Sequence, residues 1–161
     1  MSRRAQIRLS DDEVAAFLDE QRIVVCATNG PDGWPHLMPL WYIVRGSADA
    51  PELWAWTYAA SQKVRNLQRD RRATLQVQTG EEYQLLRGVM FKTDVTVHSE
   101  VEVVRGVGLQ IFARYAGRGD VDGLPSEVAE MVDKQAPKRV ALQFTERERA
   151  TWDHRKLGGA Y

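Results

Sequence analysis

The residues best suited to chemistry lie in one segment, 61–72, where a serine and five cations fall within twelve positions. Ser61 is a residue type that begins helices, and its hydroxyl, the free N–H groups of a helix start and the Lys63 ammonium together suit a phosphate. The same pattern also fits a capped surface helix with a solvated basic face. The five cations are Lys63, Arg65, Arg69, Arg71 and Arg72.

The elements around this segment indicate a sheet. A strand over 52–57 delivers the chain to Ser61, and a strand over 73–78 follows the basic helix. Upstream, Ser10 and Glu13 have the spacing of a capping box, which predicts a helix over 11–20. A hairpin follows it, with strands over 23–28 and 36–44 and a turn over 29–33.

The second half of the chain alternates apolar and polar residues and then becomes helical. The pattern predicts strands over 83–91 and 94–104, helices over 108–116 and 125–134, and a last strand over 140–144 that 151–153 extends. An offset near Ser99 indicates a bulge. Six or seven strands joined mostly by turns, with helices at the ends, predict a mostly β protein with helices, built as a closed antiparallel barrel.

The length and composition of the chain limit the classes of function that fit it. Residues 1–161 have the length of one domain, and the 22 basic and 22 acidic residues create no overall field for nucleic acid or an anionic membrane. The lone Cys26 lies in an apolar run and is predicted to be a core residue. No signal peptide or membrane span is visible, so we expect a cytoplasmic protein without a membrane partner. The three histidines have no ligand spacing, so no metal site is predicted.

Three blocks of the sequence resemble a known superfamily. They are the turn and strand Asp32-Gly33-Trp34-Pro35-His36 to Tyr42, the run from Trp56-Thr57 through Ser61-Gln62-Lys63 to Ala73, and Trp152-Asp153-His154-Arg155-Lys156-Leu157. The chain is similar here to the split β-barrel flavin and deazaflavin oxidoreductases related to pyridoxamine 5′-phosphate oxidase. The resemblance implies a split antiparallel β-barrel and a homodimer.

The resemblance also implies a cofactor site. The second strand would line the tricyclic ring, the start of the basic helix would hold the ribityl phosphate, and the C-terminal segment would close the site across the dimer. The implied cofactor-binding residues are His36, Leu37, Met38, Pro39, Leu40, Trp41, Trp56, Thr57, Ser61, Gln62, Lys63, Arg65, Trp152 and Arg155.

Two cofactors fit that site, flavin mononucleotide (FMN) and the deazaflavin coenzyme F420. F420 carries an oligoglutamate tail, which the arginines of 65–72 suit, and the run resembles the F420-using branch of the superfamily most. The C-terminal block lacks the Arg-x-His order of true pyridoxamine phosphate oxidases. The favoured interpretation is an F420-dependent oxidoreductase that acts on a small-molecule acceptor. An FMN-binding oxidoreductase and a non-catalytic cofactor-binding protein are the alternatives.

Catalytic residues are not assigned by the sequence. Hydride transfer depends mainly on placing the cofactor next to the acceptor, so no acid–base pair has to be visible. Tyr83, His36 and water are all open as proton donors. A glycine-rich phosphate loop and a nucleophile elbow are both missing from the sequence, which disfavours nucleotide triphosphate and hydrolase chemistry.

Overall fold

The computed structural model describes residues 2–117 and 119–159. One seven-stranded antiparallel sheet forms the centre of these ranges. Its strands are β1 (Val24–Asn29), β2 (Pro35–Leu40), β3 (Tyr42–Gly46), β4 (Pro51–Tyr58), β5 (Arg72–Thr79), β6 (Arg87–His98) and β7 (Arg139–Asp153). The helices are α1 (Arg3–Gln6), α2 (Asp11–Glu20), α3 (Gln62–Arg69), α4 (Val101–Tyr115) and α5 (Ser126–Gln135), with three short 3₁₀ turns at Tyr83–Leu85, Ala136–Lys138 and His154–Leu157.

The order of the strands explains why the barrel is split. The ladder runs β2-β1-β5-β6-β7-β4-β3, so β2 and β3 are the two edges although Trp41 alone separates them in the chain. The sheet curls until both edges border one seam at Trp41. The predicted class, mostly β with helices arranged as a split antiparallel barrel, is confirmed, whereas the closed barrel that strand count alone suggests is not formed.

The first helix follows its sequence signal closely. The Ser10 hydroxyl accepts from the Glu13 N–H at 3.2 Å and the Glu13 carboxylate accepts from the Ser10 N–H at 2.7 Å, which completes the capping box of α2. Val14, Phe17 and Leu18 face the core. The helix predicted over 11–20 is therefore confirmed at both ends.

Four extended segments were predicted with the wrong bounds. The first is 83–91, where a 3₁₀ turn precedes β6 and the strand begins only at Arg87. The run 36–44 is broken at Trp41 into β2 and β3, and 140–144 is the start of the longer β7. The stretch 94–104 is a strand only to His98, because α4 begins at Val101. Its buried residues Val104, Val107, Gly108 and Ile111 have helical spacing, which the valine alternation of 95–103 masks. The irregularity in β6 lies between Lys92 and Thr93 rather than near Ser99.

The sheet has an inner and an outer apolar layer. On β4, Leu53 and Ala55 belong to the inner core, while Trp54 and Trp56 face outwards against α4. Gly108 of α4 permits this packing, because a Cβ there would stand 3.0 Å from a Trp56 ring carbon. Alternation along β4 therefore sends neighbouring residues to separate layers.

An arginine from α4 fastens the end of α2 to the barrel seam. The Arg114 guanidinium donates to carbonyl oxygens at the end of α2 and to the Tyr42 carbonyl of β3, at 2.5 to 3.1 Å. The Tyr42 hydroxyl donates to the Leu18 carbonyl at 2.7 Å, and the Tyr115 hydroxyl accepts from the Tyr42 N–H at 3.0 Å. These bonds satisfy helix-end carbonyls that have no partner within the helix.

Cys26 is buried in the inner core as predicted, and burial raises the pKa of its thiol to about 12. That pKa keeps the thiol protonated and unreactive at neutral pH. None of the helices within 2–117 and 119–159 has the length and apolar character needed to cross a membrane.

Candidate cofactor site

The polar part of the site lies where β4 passes into α3. Thr57 faces the inner layer and is 6% exposed, and the Lys63 ammonium donates to its hydroxyl at 3.0 Å. Lys63 is also only 6% exposed, because the helix face that carries Val64 and Leu67 packs onto the barrel. The solvated basic face that the sequence also allows therefore does not include Lys63.

Lys63 is a buried cation without an anionic partner. Within the described residues no carboxylate reaches it, and burial lowers the pKa of its ammonium. A buried ammonium normally pairs with an acid, because removing a charge from water is costly. The arrangement therefore leaves an unneutralised positive charge at the start of α3.

Ser61 adds a second unused group. It occupies the N-cap position of α3, yet its side chain makes no capping bond, and its buried hydroxyl has no hydrogen-bond partner within 2–117 and 119–159. Gln62 is exposed and donates to the Asn66 side chain at 2.9 Å. A free hydroxyl, free helix N–H groups and a buried ammonium fit the phosphate of a flavin-type cofactor.

The neighbouring polar residues tie α3 to the first hairpin. The Asn66 amide donates to the Thr28 hydroxyl of β1 at 3.0 Å, and both residues are buried. His36 lies opposite Thr28 in the ladder, and its buried Nδ1 has no hydrogen-bond partner in the part of the chain that the structure describes. Asn66 and Thr28 were missed in the sequence, although Asn66 lies one helical turn after Gln62.

The basic run is not uniform. Arg72 pairs with Asp70 at 2.8 Å and holds the pKa of that carboxyl well below its usual range, and Arg69 donates to the Asn29 carbonyl. Arg65 and Arg71 are exposed, and no described residue pairs with either. Arg65 and Arg71 are therefore the arginines of this run with free guanidinium groups.

The predicted ring wall is the edge strand β2. Leu37, Met38 and Pro39 are exposed along it, with 56% and 40% of Leu37 and Met38 open to solvent, while Leu40 turns into the inner core. Trp41 stands at the seam, 45% exposed, stacked on Tyr115 with ring centroids 4.3 Å apart. An open apolar strand of this kind suits a flat ring.

Trp56 does not join the phosphate residues, because it lies on the outer face of β4. There it lines a groove of about 270 Å³ next to the seam. The groove, here called the seam groove, is lined by Pro39, Leu40, Trp41, Trp56, Ile111, Phe112 and Arg139. Phe112 and Arg139 were not expected from the sequence, since neither stands near a predicted site residue along the chain.

The two C-terminal candidates, Trp152 and Arg155, both contact residues of their own chain. Trp152 of β7 lies across Gly88 of β6, which needs to be glycine because a Cβ would overlap the indole ring. Arg155 pairs with Asp153 at 2.6 Å and lowers the pKa of that carboxyl. Tyr83, one of the possible proton donors, is 59% exposed and packs edge to face on His154.

No cluster of three or more His, Cys, Asp or Glu side chains suited to a metal ion occurs in the part of the chain that the structure describes. The polar groups assembled at α3 are instead cationic or neutral. This donor set suits an anion rather than a cation.

Comparisons with known proteins agree with this architecture. Residues 10–153 match the family model described as pyridoxamine 5′-phosphate oxidase. The conserved hypothetical protein Rv2991 of Mycobacterium tuberculosis is 37% identical, with a TM-score of 0.84 over 100% of this chain and 95% of that one. No protein with a curated function matches.

More distant solved structures share the fold. An F420 reductase is 18% identical with a TM-score of 0.61 over 83% of this chain and 93% of that one. The heme storage protein HutZ of Vibrio cholerae is 13% identical with a TM-score of 0.63 over 85% and 89% of the two chains. The family match spans most of the sequence, and the seven-stranded split barrel is its fold: the chain belongs to the pyridoxamine 5′-phosphate oxidase-like family of flavin-binding oxidoreductases.

Proposed function

We propose that this chain is an F420-dependent oxidoreductase that transfers a hydride between the deazaflavin and a small-molecule acceptor. The observation that carries the binding of a phosphate-bearing cofactor is the buried Lys63 ammonium without a carboxylate, beside the Ser61 hydroxyl that no described residue pairs with. The exposed Arg65, likewise unpaired among the described residues, supports F420 over FMN. These groups would hold the ribityl phosphate, since charge-assisted hydrogen bonds to phosphate are the strong kind. A protein of the same fold is an F420 reductase, so the fold accommodates this coenzyme.

The chain's own residues would bind and orient the cofactor. Lys63 and Ser61 fix one end of the molecule, and the exposed side chain of Met38, which shares a strand face with Leu40, offers an apolar contact to its ring. When bound, the deazaflavin supplies the hydride chemistry itself. The protein's contribution is then to place the ring and the acceptor together and to exclude water from between them.

Arg65 tests the choice of cofactor. Replacing Arg65 by glutamine should weaken F420 binding several-fold and leave FMN binding unchanged, because the oligoglutamate tail is the part that FMN lacks. The measurement is a titration of each cofactor at low and at physiological salt, in which F420 affinity should also fall more steeply with salt.

Arg4→Gln is the matched control, since Arg4 is likewise exposed and lies on another helix, α1. Equal losses of F420 and FMN affinity in Arg65→Gln would place Arg65 at the shared phosphate. Unchanged binding of both would remove the physical support for F420. Tight retention of FMN by the wild type would favour the FMN-binding oxidoreductase instead.

A non-catalytic role is the second candidate, because one protein with this fold is a heme storage protein. An enzyme and a carrier would use the same pocket, but only the enzyme would turn over its bound cofactor. Reduced cofactor bound to the protein should be oxidised by added acceptors if the chain is an enzyme. A carrier would bind the reduced cofactor and protect it from those acceptors.

We propose further that the chain forms a homodimer through the edge of β2, with Trp152 and Arg155 contributing to the site. Trp34, Leu37 and Met38 are exposed along this edge, and exposed apolar edges are usually covered. Light scattering at micromolar concentration should give the mass of two chains, and Leu37→Lys should shift it towards one. Val101→Lys, at a similarly exposed valine on α4, should remain a dimer. A monomeric wild type with full cofactor affinity would contradict the dimer.

A further inference from the structure

The seam groove holds a cation that the proposed cofactor site does not use. Arg139 begins β7 directly opposite Tyr58 in the ladder. Its guanidinium carbon lies 4.1 Å from the centre of the Trp56 ring and 4.0 Å from that of Tyr58. The two rings hold the guanidinium in place by cation–π contact, but they do not neutralise its charge.

Two N–H donors in this groove are unsatisfied. The Nε of Arg139 and the Nε1 of Trp56 are both buried, and neither has a hydrogen-bond partner among the described residues. Within 2–117 and 119–159, the side chain of Arg139 makes no hydrogen bond or ion pair with any residue. Buried donors are nearly always paired in proteins, so two orphans on adjacent side chains point to an acceptor supplied from outside.

The walls of the groove are aromatic. Phe112 stands edge-on to both Trp41 and Trp56, with ring centroids 6.2 and 6.0 Å apart. Tyr115 supports the far face of Trp41 by stacking on it. A volume of about 270 Å³ lies just below the range of drug-sized pockets and suits a molecule of one or two rings.

We propose that the seam groove binds a small aromatic carboxylate. Its ring would pack among Trp41, Trp56 and Phe112, and its carboxylate would accept from Arg139 and from the Trp56 indole N–H. A carboxylate supplies both the negative charge that Arg139 lacks and more than one acceptor. This binding step requires no cofactor.

The groove adjoins the strand proposed to line the cofactor ring. Pro39 and Leu40 belong to both the groove and β2, and Trp41, which also lines the groove, follows β2 directly. An aromatic acid bound here would lie beside the proposed position of the cofactor ring. Only this placement next to the ring rests on the proposed function.

The test is calorimetric titration of the purified, cofactor-free protein with 2-naphthoate and with the uncharged 2-naphthamide. The wild type should bind naphthoate about tenfold or more tightly than the amide, as expected for a charge-assisted hydrogen bond. Arg139→Gln should reduce naphthoate affinity to the level of the amide and leave amide binding unchanged. Arg147→Gln, on the same strand but outside the groove, should keep the wild-type preference.

Equal affinities for naphthoate and naphthamide, or an unchanged preference in Arg139→Gln, would overturn the proposal. So would failure of naphthoate to bind at millimolar concentration, as expected if a partner chain fills the groove. If Arg139→Gln does not fold, Trp56→Phe decides, because it keeps an aromatic ring and removes the N–H: a reduced preference supports the site and an unchanged one overturns it. If the wild type binds naphthoate and fails to bind F420, the proposed function is refuted and the proposed naphthoate site stands.

Discussion

Replacing Arg114 by alanine should lower the free energy of unfolding by about 3–5 kcal/mol, because several buried or half-buried carbonyl oxygens lose a charged donor at once. The guanidinium also lies over the Tyr42 and Tyr115 rings, at 4.5 and 5.6 Å from their centres. Its loss therefore removes packing as well as hydrogen bonds. Urea denaturation should show a lower midpoint at an unchanged slope.

Two further variants make this test specific. Arg105→Ala, on the same helix, removes only a half-exposed ion pair with Asp133 and should cost less than about 1 kcal/mol. Arg114→Lys should recover little of the loss, since a single ammonium cannot reproduce the fork that reaches both α2 and β3. An Arg114→Ala variant as stable as Arg105→Ala would show that water replaces the guanidinium at no cost.

The Arg114 network also bears on function through Trp41. Tyr115 both bonds the backbone at Tyr42 and stacks on Trp41, so the seam residue is held by the same helix that closes the end of α2. Weakening this contact should make the position of the Trp41 side chain in the seam groove less well defined. Loss of ligand affinity in Arg114 variants therefore has a structural origin and does not identify Arg114 as a binding residue.

Local signals in the sequence predicted the elements that depend on local chemistry. The capping box of α2 is read directly from Ser10 and Glu13, and the alternation of β4 already separates Trp56 from Thr57. Prediction from local signals failed at 94–104, where the run of valines is compatible with both a strand and a helix. The helical form of this stretch goes with tertiary packing that the local sequence does not show, in which Gly108 of α4 lies against Trp56.

The site was predictable where its residues are neighbours in sequence and unpredictable where they are not. Thr57, Ser61 and Lys63 follow each other along the chain, so one segment revealed them. Arg139 reaches the site through a pairing between β4 and β7 that spans some eighty residues, and nothing local marks it. Whether Lys63 is exposed depends on how α3 packs, which residue type alone does not determine.

Replacing Lys63 by methionine should have opposite effects on stability and on cofactor binding. The change keeps an unbranched side chain and removes a buried charge that no acid neutralises, so the ligand-free chain should become more stable by about 1 kcal/mol. Cofactor affinity should fall by about 1.5–3 kcal/mol, which is roughly ten- to 150-fold, through loss of a charge-assisted hydrogen bond to phosphate.

The pH dependence of stability provides an independent check. Burial lowers the pKa of Lys63 in the folded chain below its ordinary value of 10.5, so the unfolded chain binds more protons between the two pKa values. Wild-type stability should therefore rise, relative to Lys63→Met, as the pH increases through that window towards 10.5. The advantage of the methionine variant should shrink over the same range.

Lys92→Met is the matched control for both measurements. Lys92 is exposed, pairs with Glu148 at 2.9 Å and lies on β6, so its replacement should change neither cofactor affinity nor the pH dependence. If Lys63→Met destabilises the chain and leaves cofactor affinity intact, Lys63 serves the fold through its bond to Thr57. A gain in stability together with a loss of affinity is the signature of a charge that is kept buried for its ligand, because the fold alone would be better off without it.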